Sequence, residues 1–599
     1  MNRELIKERY RELVYENEAL LSKLKRRQFI VSLTRLGVFI AGMLSAVPAF
    51  RNSSAPAIML LLFSAALFLF LIKYFNLLAE RIRYRENLIR INSSELNALK
   101  GDYSAFNGGN NYINKEHDFA NDIDLFGEDS LFRYINRTVT GFGRETLARW
   151  LADPYLLKGS IGERQESVKE LAENISWRQE FMAHGLGKPL EKDDIESLRT
   201  WLDGKENYFS SALMRTTVIV SPLLTFLLLI LTIVKLIPVN IFGFMFIFNL
   251  LLSGAYLKKN NRIHSLVSRK FNFLESFEKL ISAFGKEKFR SQILADASVK
   301  LFAGSKSAAI MIKELGQIIQ AFDSRLNIFA GLLLNGLILW DFQCIKRLEK
   351  WKLETAGQLP EWLELIGEVD ALISLSNHAY NNPAYMFPEI SEGEPVLEGV
   401  GMGHPLIDEK IRVCNDFSMD HKGMICIITG ANMAGKSTFL RSVAVNLLLG
   451  MTGTTVCAAK FKFAPVILFT SMRTADSLSH NESYFYAELK RLKALKDRMD
   501  SGEELFFILD EILKGTNSED KSTGSKLYLT KLANRNGTGI IATHDISLGR
   551  MEKDFSGKIF NKCFEVEIRE ESVFFDYKLR DGITQHMNAG ILMKQMGII

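Results

Sequence analysis

The chain has 599 residues, 47% of them apolar and 24% charged, with a formal net charge of +5. That length exceeds what one hydrophobic core can hold, so several domains are expected, and so small a net charge permits but does not indicate a general attraction to nucleic acid or acidic membrane. Five scattered cysteines, Cys344, Cys414, Cys426, Cys457 and Cys563, include no CxxC pair and no Cys/His ligand spacing; this argues against a disulfide scaffold or structural zinc and fits a reducing compartment.

Residues 1–28 place Ile6, Tyr10, Leu13, Leu20 and Leu24 at three- and four-residue steps, with Asn17 breaking the stripe, which predicts a helix with one apolar face. Two apolar runs follow, about 29–50 and 55–75, joined by Arg51, Asn52, Ser53 and Ser54. Each is close to the roughly 20 residues a helix needs to cross a bilayer, and so short a joint makes a hairpin. Arg35 interrupts the first run. A cleaved signal peptide is disfavoured by the long, helix-patterned segment ahead of it. Residues 76–99 resemble 1–28 in pattern, so the two segments are expected to pair as an antiparallel stalk. Gly101 to Lys115, rich in Gly and Asn, reads as a linker.

From about Asp118 to Ser391 the pattern is helical, as in the stripe Leu365, Val369, Leu372, Ile373, Leu375. A second apolar pair, 216–234 and 236–257, interrupts it and turns around Lys235 and Pro238. Lys23, Lys25, Arg26, Arg27, Arg81, Arg83 and Arg85 flank the first hairpin, and Arg215, Lys258, Lys259 and Arg262 the second. The excess of positive charge at these ends puts the long flanks in the cytosol and the hairpin tips outside. A fifth run, Ile328 to Trp340, contains Asn335 and is too short to span, so it is expected to be a core helix. After Glu394, short apolar strands alternate with helices, the signature of a parallel α/β sheet. The expected organisation is therefore an N-terminal part, 1–116, with a transmembrane hairpin at about 29–75; a helical part, 117–392, with an inserted hairpin at about 216–257; and an α/β part, 393–599.

The chemistry gathers in the last part. Ile427, Ile428 and Thr429 lead into Gly430-Ala-Asn-Met-Ala-Gly435-Lys436-Ser437, a strand, a GxxxxGK[ST] loop and then a helical run. Glycines let backbone N–H groups turn inward around phosphates, and the helix N-terminus adds its positive end. Gly430, Asn432, Met433, Gly435, Lys436, Ser437 and Thr438 are the expected nucleotide contacts, with Lys436 on the β- and γ-phosphates and Ser437 on magnesium. The buried strand 505–509 ends in Asp510 and Glu511. Two carboxylates at a strand tip need a cation nearby; Asp510 suits the magnesium shell and Glu511 the base that orients the attacking water. A third strand, 539–543, delivers His544 to the same edge, where it could sense the γ-phosphate. Lys436, Glu511 and His544 form the expected catalytic set, acting on ATP with Mg2+.

These runs resemble the MutS family. TGANMAGKSTFLR is similar to its Walker loop and LDEILKGTNSEDKSTG to its Walker B and following loop, with Gly515, Thr516 and Asp520 at matching places. ADSLSHNESYFYAEL resembles its signature segment, matching at Ser483 and Phe485; IATHD resembles its histidine loop and YKLRDGITQHMNAGILMKQMGI its closing helices. Upstream, IDLFGEDSLFRYINRTVTGFGRETLARWLADP and LELIGEVDALISLSNHAYNNPAYMFPEI are similar to the two ends of its helical core. The resemblance implies a helical core/lever domain beside a P-loop ATPase domain, and a dimer in which Ser483 reaches the partner's ATP. It also implies departures: hairpin and linker stand where the mismatch-reading and connector domains would be, no clamp segment is evident, Asn481 replaces the usual glycine of the signature and Leu513 another after Walker B. The expected protein is thus an integral membrane, ATP-dependent dimeric switch with cytoplasmic core and ATPase parts. It would bind duplex or branched DNA without reading mismatches; the alternative is an ATP-driven membrane device acting on a protein or lipid partner without DNA.

Overall fold

The structure is a computed structural model that describes residues 2–585 apart from 53–54, 155–160, 188–199, 203, 205–208, 210, 304–305, 432, 474–483, 515 and 570–571. Helix α1, Arg3–Asn52, and helix α2, Ala55–Ala98, lie antiparallel along their length. Val31, Leu71 and Leu78 interlock with Leu24, Val38, Leu67 and Phe75. At Gly42 the partner backbone comes so near that an added methyl would meet Ser64 Cβ at 3.3 Å. The stalk and the apolar hairpin are thus one pair of continuous rods. Asn17, which breaks the apolar stripe, has a structural role there: Arg85 Nη1 donates to its Oδ1 at 2.8 Å. Arg35 lies over the Phe75 and Phe68 rings, 4.9 and 5.8 Å from their centroids, so its charge is met by aromatic faces on α2.

The segment after α2 is irregular yet firmly held. The Arg133 side chain, from helix α3 (Leu131–Ile135), donates to the carbonyls of Tyr103, Phe106 and Ser104, and Tyr112 packs on Phe126 and Phe132. Helices α4 (Gly141–Ala152), α5 (Ile161–Glu173) and α6 (Ile175–Gly185) follow, then the second apolar pair, α7 (Ala212–Ile233) and α8 (Val239–Ala255). Helix α9 (Leu257–Phe284) carries the chain back to α10 (Gln292–Phe302) and α11 (Ala308–Asp323). The helical part ends with α12 (Ile328–Ile338), α13 (Trp340–Thr355) and α14 (Leu359–Asn381).

Helix α14 is buried along nearly its whole length. Its Asp370 carboxylate accepts from Val139 N, Thr140 N and the Thr140 hydroxyl at 3.0, 2.8 and 2.7 Å, fixing the entry to α4. Gly143 on α4 and Gly367 on α14 permit this approach, since a methyl on Gly143 would overlap the Asp370 carboxylate and one on Gly367 the Phe142 backbone. At the other end of α14, Asn381 accepts from Tyr10 Oη at 2.9 Å and donates to Glu95 Oε2 at 2.8 Å. The other Glu95 oxygen takes Arg137 Nε at 2.5 Å, a fully buried pair.

Beyond α14 the chain forms a four-stranded sheet, order β1-β5-β2-β3 (Glu389–Ile390, Lys460–Phe463, Leu397–Met402, Asn415–Met419), and a six-stranded sheet, order β10-β9-β4-β8-β7-β6. In the larger sheet β4 (Ile425–Gly430), β6 (Ile467–Ser471), β7 (Leu505–Asp510), β8 (Thr538–Thr543) and β9 (Ile559–Arg569) run parallel, and β10 (Ser572–Asp581) is antiparallel at the edge. Every residue of β4, β7 and β8 is buried, as expected for parallel strands covered on both faces. Helices α15 (Lys436–Thr452), α16 (Tyr484–Asp500), α17 (Ser518–Asn534) and the short α18 (Ile546–Gly549) complete this α/β unit.

One expectation about the apolar runs needs correction, that for 328–340. Among the described residues, α1, α2 and α7 are single helices long and apolar enough to cross a membrane; α8 has 17 residues and qualifies together with α9, from which it is bent by 62°. The run at 328–340 is not a core helix. It packs on α7 and α8, with Ile328, Phe329, Leu332 and Leu333 between 52% and 86% exposed. Its apolar content came from a face turned outward, which composition could not distinguish from a buried one.

Removing one partner of a buried ion pair strands the other charge at a cost of about 3–5 kcal/mol, whereas an exposed pair contributes under about 1 kcal/mol. Glu95→Ala is therefore expected to lower the thermal unfolding midpoint of the detergent-solubilised protein severely. Lys25→Ala, which removes the exposed partner of Glu86 2.8 Å away, should leave it nearly unchanged.

Candidate active site

Strand β4 runs through the middle of the sheet and releases the chain into a loop that turns at Met433 (φ 68°) and Gly435 (φ 104°) before α15 begins at Lys436. Gly435 has no room for a side chain: its backbone is left-handed, and the Tyr577 ring stands 3.0 Å from where a Cβ would be. Lys436 Nζ donates to Gly430 O at 2.7 Å and Ala431 O at 2.9 Å, so the ammonium lies across the loop's own carbonyls. Burial pushes its pKa down, while Glu511 and Asp510 pull it back up.

Ser437 Oγ donates to Asp510 Oδ2 at 2.5 Å. Asp510 ends β7, where burial raises its carboxyl above the ordinary value. Glu511, next in the chain, takes a left-handed backbone (φ 55°), and its amide donates to Ala542 O of β8 at 2.9 Å. This turn aims the carboxylate at His544, whose Nδ1 is 3.3 Å from Glu511 Oε1. His544, with Lys514 and Lys436 adding, holds the Glu511 carboxyl down to about 2. Lys521 Nζ stands 3.3 Å from His544 Nε2. An ammonium can only donate, so Nε2 is the acceptor in this contact.

A cavity of about 530 Å³ opens over these groups. Lys436, Ser437, Thr438 and Glu511 form its polar end, and Ile407, Ile411, Val413, Phe439, Phe564 and Tyr577 its apolar walls. Its volume and two-ended character suit a nucleotide. The donor set also fits magnesium. Ser437 and Asp510 offer two hard oxygen ligands side by side, while no cluster of three or more His, Cys, Asp or Glu side chains suited to a metal occurs among the described residues. Magnesium keeps several waters and takes one or two protein ligands beside phosphate oxygens, so a pair is enough.

Of the residues expected from the sequence, Gly430, Met433, Gly435, Lys436, Ser437, Thr438, Asp510, Glu511 and His544 thus come together around the loop and cavity. Asn432, Ser483, Gly515 and the closing helices from residue 586 onward lie outside the described residues. Leu513, where the family pattern has glycine, does adopt a left-handed backbone (φ 62°). The Glu488 carboxylate holds that turn by accepting Leu513 N at 2.5 Å and Lys514 N at 3.1 Å. Sequence reading passed over Glu488 although it stands within the signature run, five residues past Ser483. It also missed Asn415, which ties the chain beside Tyr577 by donating to Tyr577 O at 3.0 Å and accepting Leu579 N at 2.8 Å. No local pattern marks Ile407, Ile411, Val413 or Asn415, because they reach the cavity from loops and an edge strand ahead of the phosphate-binding loop.

Comparison with known proteins places the chain's similarities on these same parts. Residues 113–376 match the family model described as MutS domain III and residues 426–598 that of MutS domain V. The chain is similar to proteins called DNA mismatch repair protein MutS: 33% identical over 223 residues to that of Aquifex pyrophilus, covering 36% of this chain and 25% of the relative. With that of Fusobacterium nucleatum it shares 30% over 244 residues, 38% of this chain and 26% of the relative. With that of Methanosarcina barkeri it shares 25% over 505 residues, 74% of this chain and 53% of the relative. The matched stretches thus span between a quarter and about half of these relatives' lengths.

The charge arrangement gives a titration test. A carboxyl depressed from its ordinary 4.5 to about 2 stabilises the fold fully above the ordinary value, and that contribution disappears as pH falls through about 2. Carbon-13 NMR of labelled glutamate should show Glu511 titrating near the lower value. In His544→Ala, which removes the principal cause, it should titrate close to the ordinary one; an unmoved titration would dismiss the Glu511–His544 interaction.

Proposed function

We propose, since the chain belongs to the MutS family, that it is a magnesium-dependent ATPase whose nucleotide state sets the shape of a membrane-held homodimer, and that its helical arms grip DNA. The observation that carries this reading is the convergence of five side chains: Lys436, Ser437 and Glu511 line one nucleotide-sized cavity, Asp510 is bonded to Ser437, and His544 stands beside Glu511. On binding ATP, Lys436 would exchange its loop carbonyls for the β- and γ-phosphate oxygens, a charge-assisted contact far stronger than the one it gives up. Ser437 and Asp510 would hold magnesium, which neutralises phosphate charge when bound. Glu511, ionised through the neutral range, would orient and deprotonate the attacking water. His544, paired with Glu511 through Nδ1, would register the γ-phosphate, and Ser483 of one protomer would complete the site of the other.

Membrane attachment rests on the apolar lengths of α1, α2 and α7 and on the basic residues flanking both hairpins. DNA as the gripped partner follows from the family. Of the basic cluster at 286–290, Lys288 and Arg290 are exposed and Lys286 is engaged by Glu180 at 2.8 Å. A second reading, a membrane device without DNA, is favoured by the foot of the stalk. Arg3 stands 3.7 Å from Glu409, in the same loop that lends Ile407 and Ile411 to the nucleotide cavity. Nucleotide binding and stalk position would then share one loop.

Lys436→Ala is expected to abolish ATP binding in equilibrium titration. Glu511→Gln should bind ATP normally but hydrolyse it about 10²–10⁴-fold more slowly, the range for loss of a general base; near-normal turnover would take the base role from Glu511. In mixed dimers, Ser483→Ala should impair only the partner's site, and equal loss in both would end the cross-subunit role. Duplex or junction DNA bound with steep salt dependence supports the DNA reading. ATPase activity indifferent to nucleic acid but altered by lipid supports the second.

A further inference from the structure

Helix α12 lies where neither hairpin nor core explains it. It is short, 11 residues, and is followed by a sharp corner at Leu339 (φ 51°), so that α13 leaves at 78°. One face is apolar and open, with Phe329 86% and Leu333 56% exposed. The opposite face is polar and locked into α7 and α8. Asn249 Nδ2 donates to Gly336 O at 2.9 Å and to Thr225 Oγ1 at 3.0 Å, and Ser253 Oγ donates to Asn335 Oδ1 at 3.1 Å. Gly336 sits so tightly on Phe246 that any side chain there would overlap the ring.

Both ends of α12 return to one level. On the entry side Arg325 Nη2 donates to Asn261 Oδ1 at 2.7 Å; on the exit side Asp341 Oδ2 accepts Asn260 Nδ2 at 3.2 Å. Asn260 and Asn261 are adjacent residues just beyond the inner end of α8. Arg325 Nη1 and Asp341 Oδ2, 3.1 Å apart and both buried, close the entry onto the exit directly. A segment that crossed a bilayer would separate its ends by about 30 Å, so this one does not cross. An open apolar face at the level of the hairpin's inner half needs an apolar partner, and the lipid-facing residues of α7 and α8, such as Leu227 and Leu251, continue the same surface.

We propose that α12 is a re-entrant segment whose Ile328, Phe329, Leu332 and Leu333 lie among the acyl chains of the cytoplasmic leaflet, clamped to the second hairpin by the Asn249, Asn335 and Asp341 bonds. This rests on reading α7 and α8 as a membrane hairpin. It places a non-spanning wedge on the same stretch of chain, α12 to α14, that runs on to the ATPase unit. Irregular backbone at that depth is tolerated because its polar groups are met by protein.

The test uses the full-length protein in lipid vesicles, with single fluorophore-labelled cysteines at Phe329, Leu333, Leu227 and Leu353. Quenchers are carried by lipids labelled near the headgroup or near the chain end. Phe329→Cys and Leu333→Cys should be quenched more by the shallow label, Leu227→Cys more by the deep one, and Leu353→Cys, equally exposed but on α13, by neither. An impermeant maleimide should reach Lys313→Cys and Lys346→Cys from the same side. Quenching at Leu227 with none at Phe329 and Leu333 overturns the proposal and leaves the hairpin standing. Labelling of Lys313→Cys and Lys346→Cys from opposite sides overturns it in favour of a full crossing, and equal quenching at Leu353 overturns it as non-specific. Loss of quenching at Leu227 as well removes the hairpin reading and the proposal together.

Discussion

Burying polar groups without partners costs several kcal/mol each, and helix α14 buries Asp370, Ser374, Asn377, His378 and Asn381 at the centre of the molecule. Each of these side chains is met by a different part of the chain. Asp370 caps the entry to α4, Ser374 takes the amide of Arg137, and Asn377 accepts from Arg178. His378 Nε2 approaches Thr455 O at 3.2 Å, and Asn381 binds both rods of the stalk. Leu375 O takes the hydroxyl of Thr454 from the α/β unit. Satisfying one buried helix thus forces the helical part, the stalk and the α/β unit into a single relative arrangement.

The same requirement organises the nucleotide site. Glu488 spends its two oxygens on the amides of Leu513 and Lys514, which steadies a left-handed turn at a side chain that disfavours it by about 1–2 kcal/mol. Since Glu488 stands on α16, within the signature run, the loop behind Glu511 is bonded to that segment. Part of the cavity's apolar wall, Ile407 and Ile411, comes from the 404–412 loop, whose other side meets the N-terminus of α1. The candidate site and the foot of the stalk are therefore neighbours through one short loop.

What the sequence made legible is what local spacing encodes. The strand, turn and helix at 425–452 and the strand tips at Asp510 and His544 were readable because these elements must follow one another there in fixed order. The hairpins were readable because apolar length and flanking charge are properties of a window of residues. Asn17 and Asn335 looked like flaws in apolar stripes, yet each meets a polar partner distant in sequence, Arg85 or Ser253. The wall residues Ile407, Ile411 and Tyr577 were illegible for the same reason, their role being set by which loops the fold brings together. The segment 101–115 has the composition of a free linker but is fastened by Arg133, one side chain that no composition would reveal.

Helix α1 runs unbroken for 50 residues from the foot beside Glu409 to the far end of the hairpin. An α-helix advances about 1.5 Å and turns about 100° per residue, so the whole rod has a single angular phase. Adding or deleting one residue anywhere along it would swing Val31 and Val38 a quarter-turn or more away from Leu71 and Leu78, or else wring the foot out of its seat under Asn381. The length of this rod is thus quantised: it can grow or shrink only in whole helical repeats, matched in both strands of the stalk.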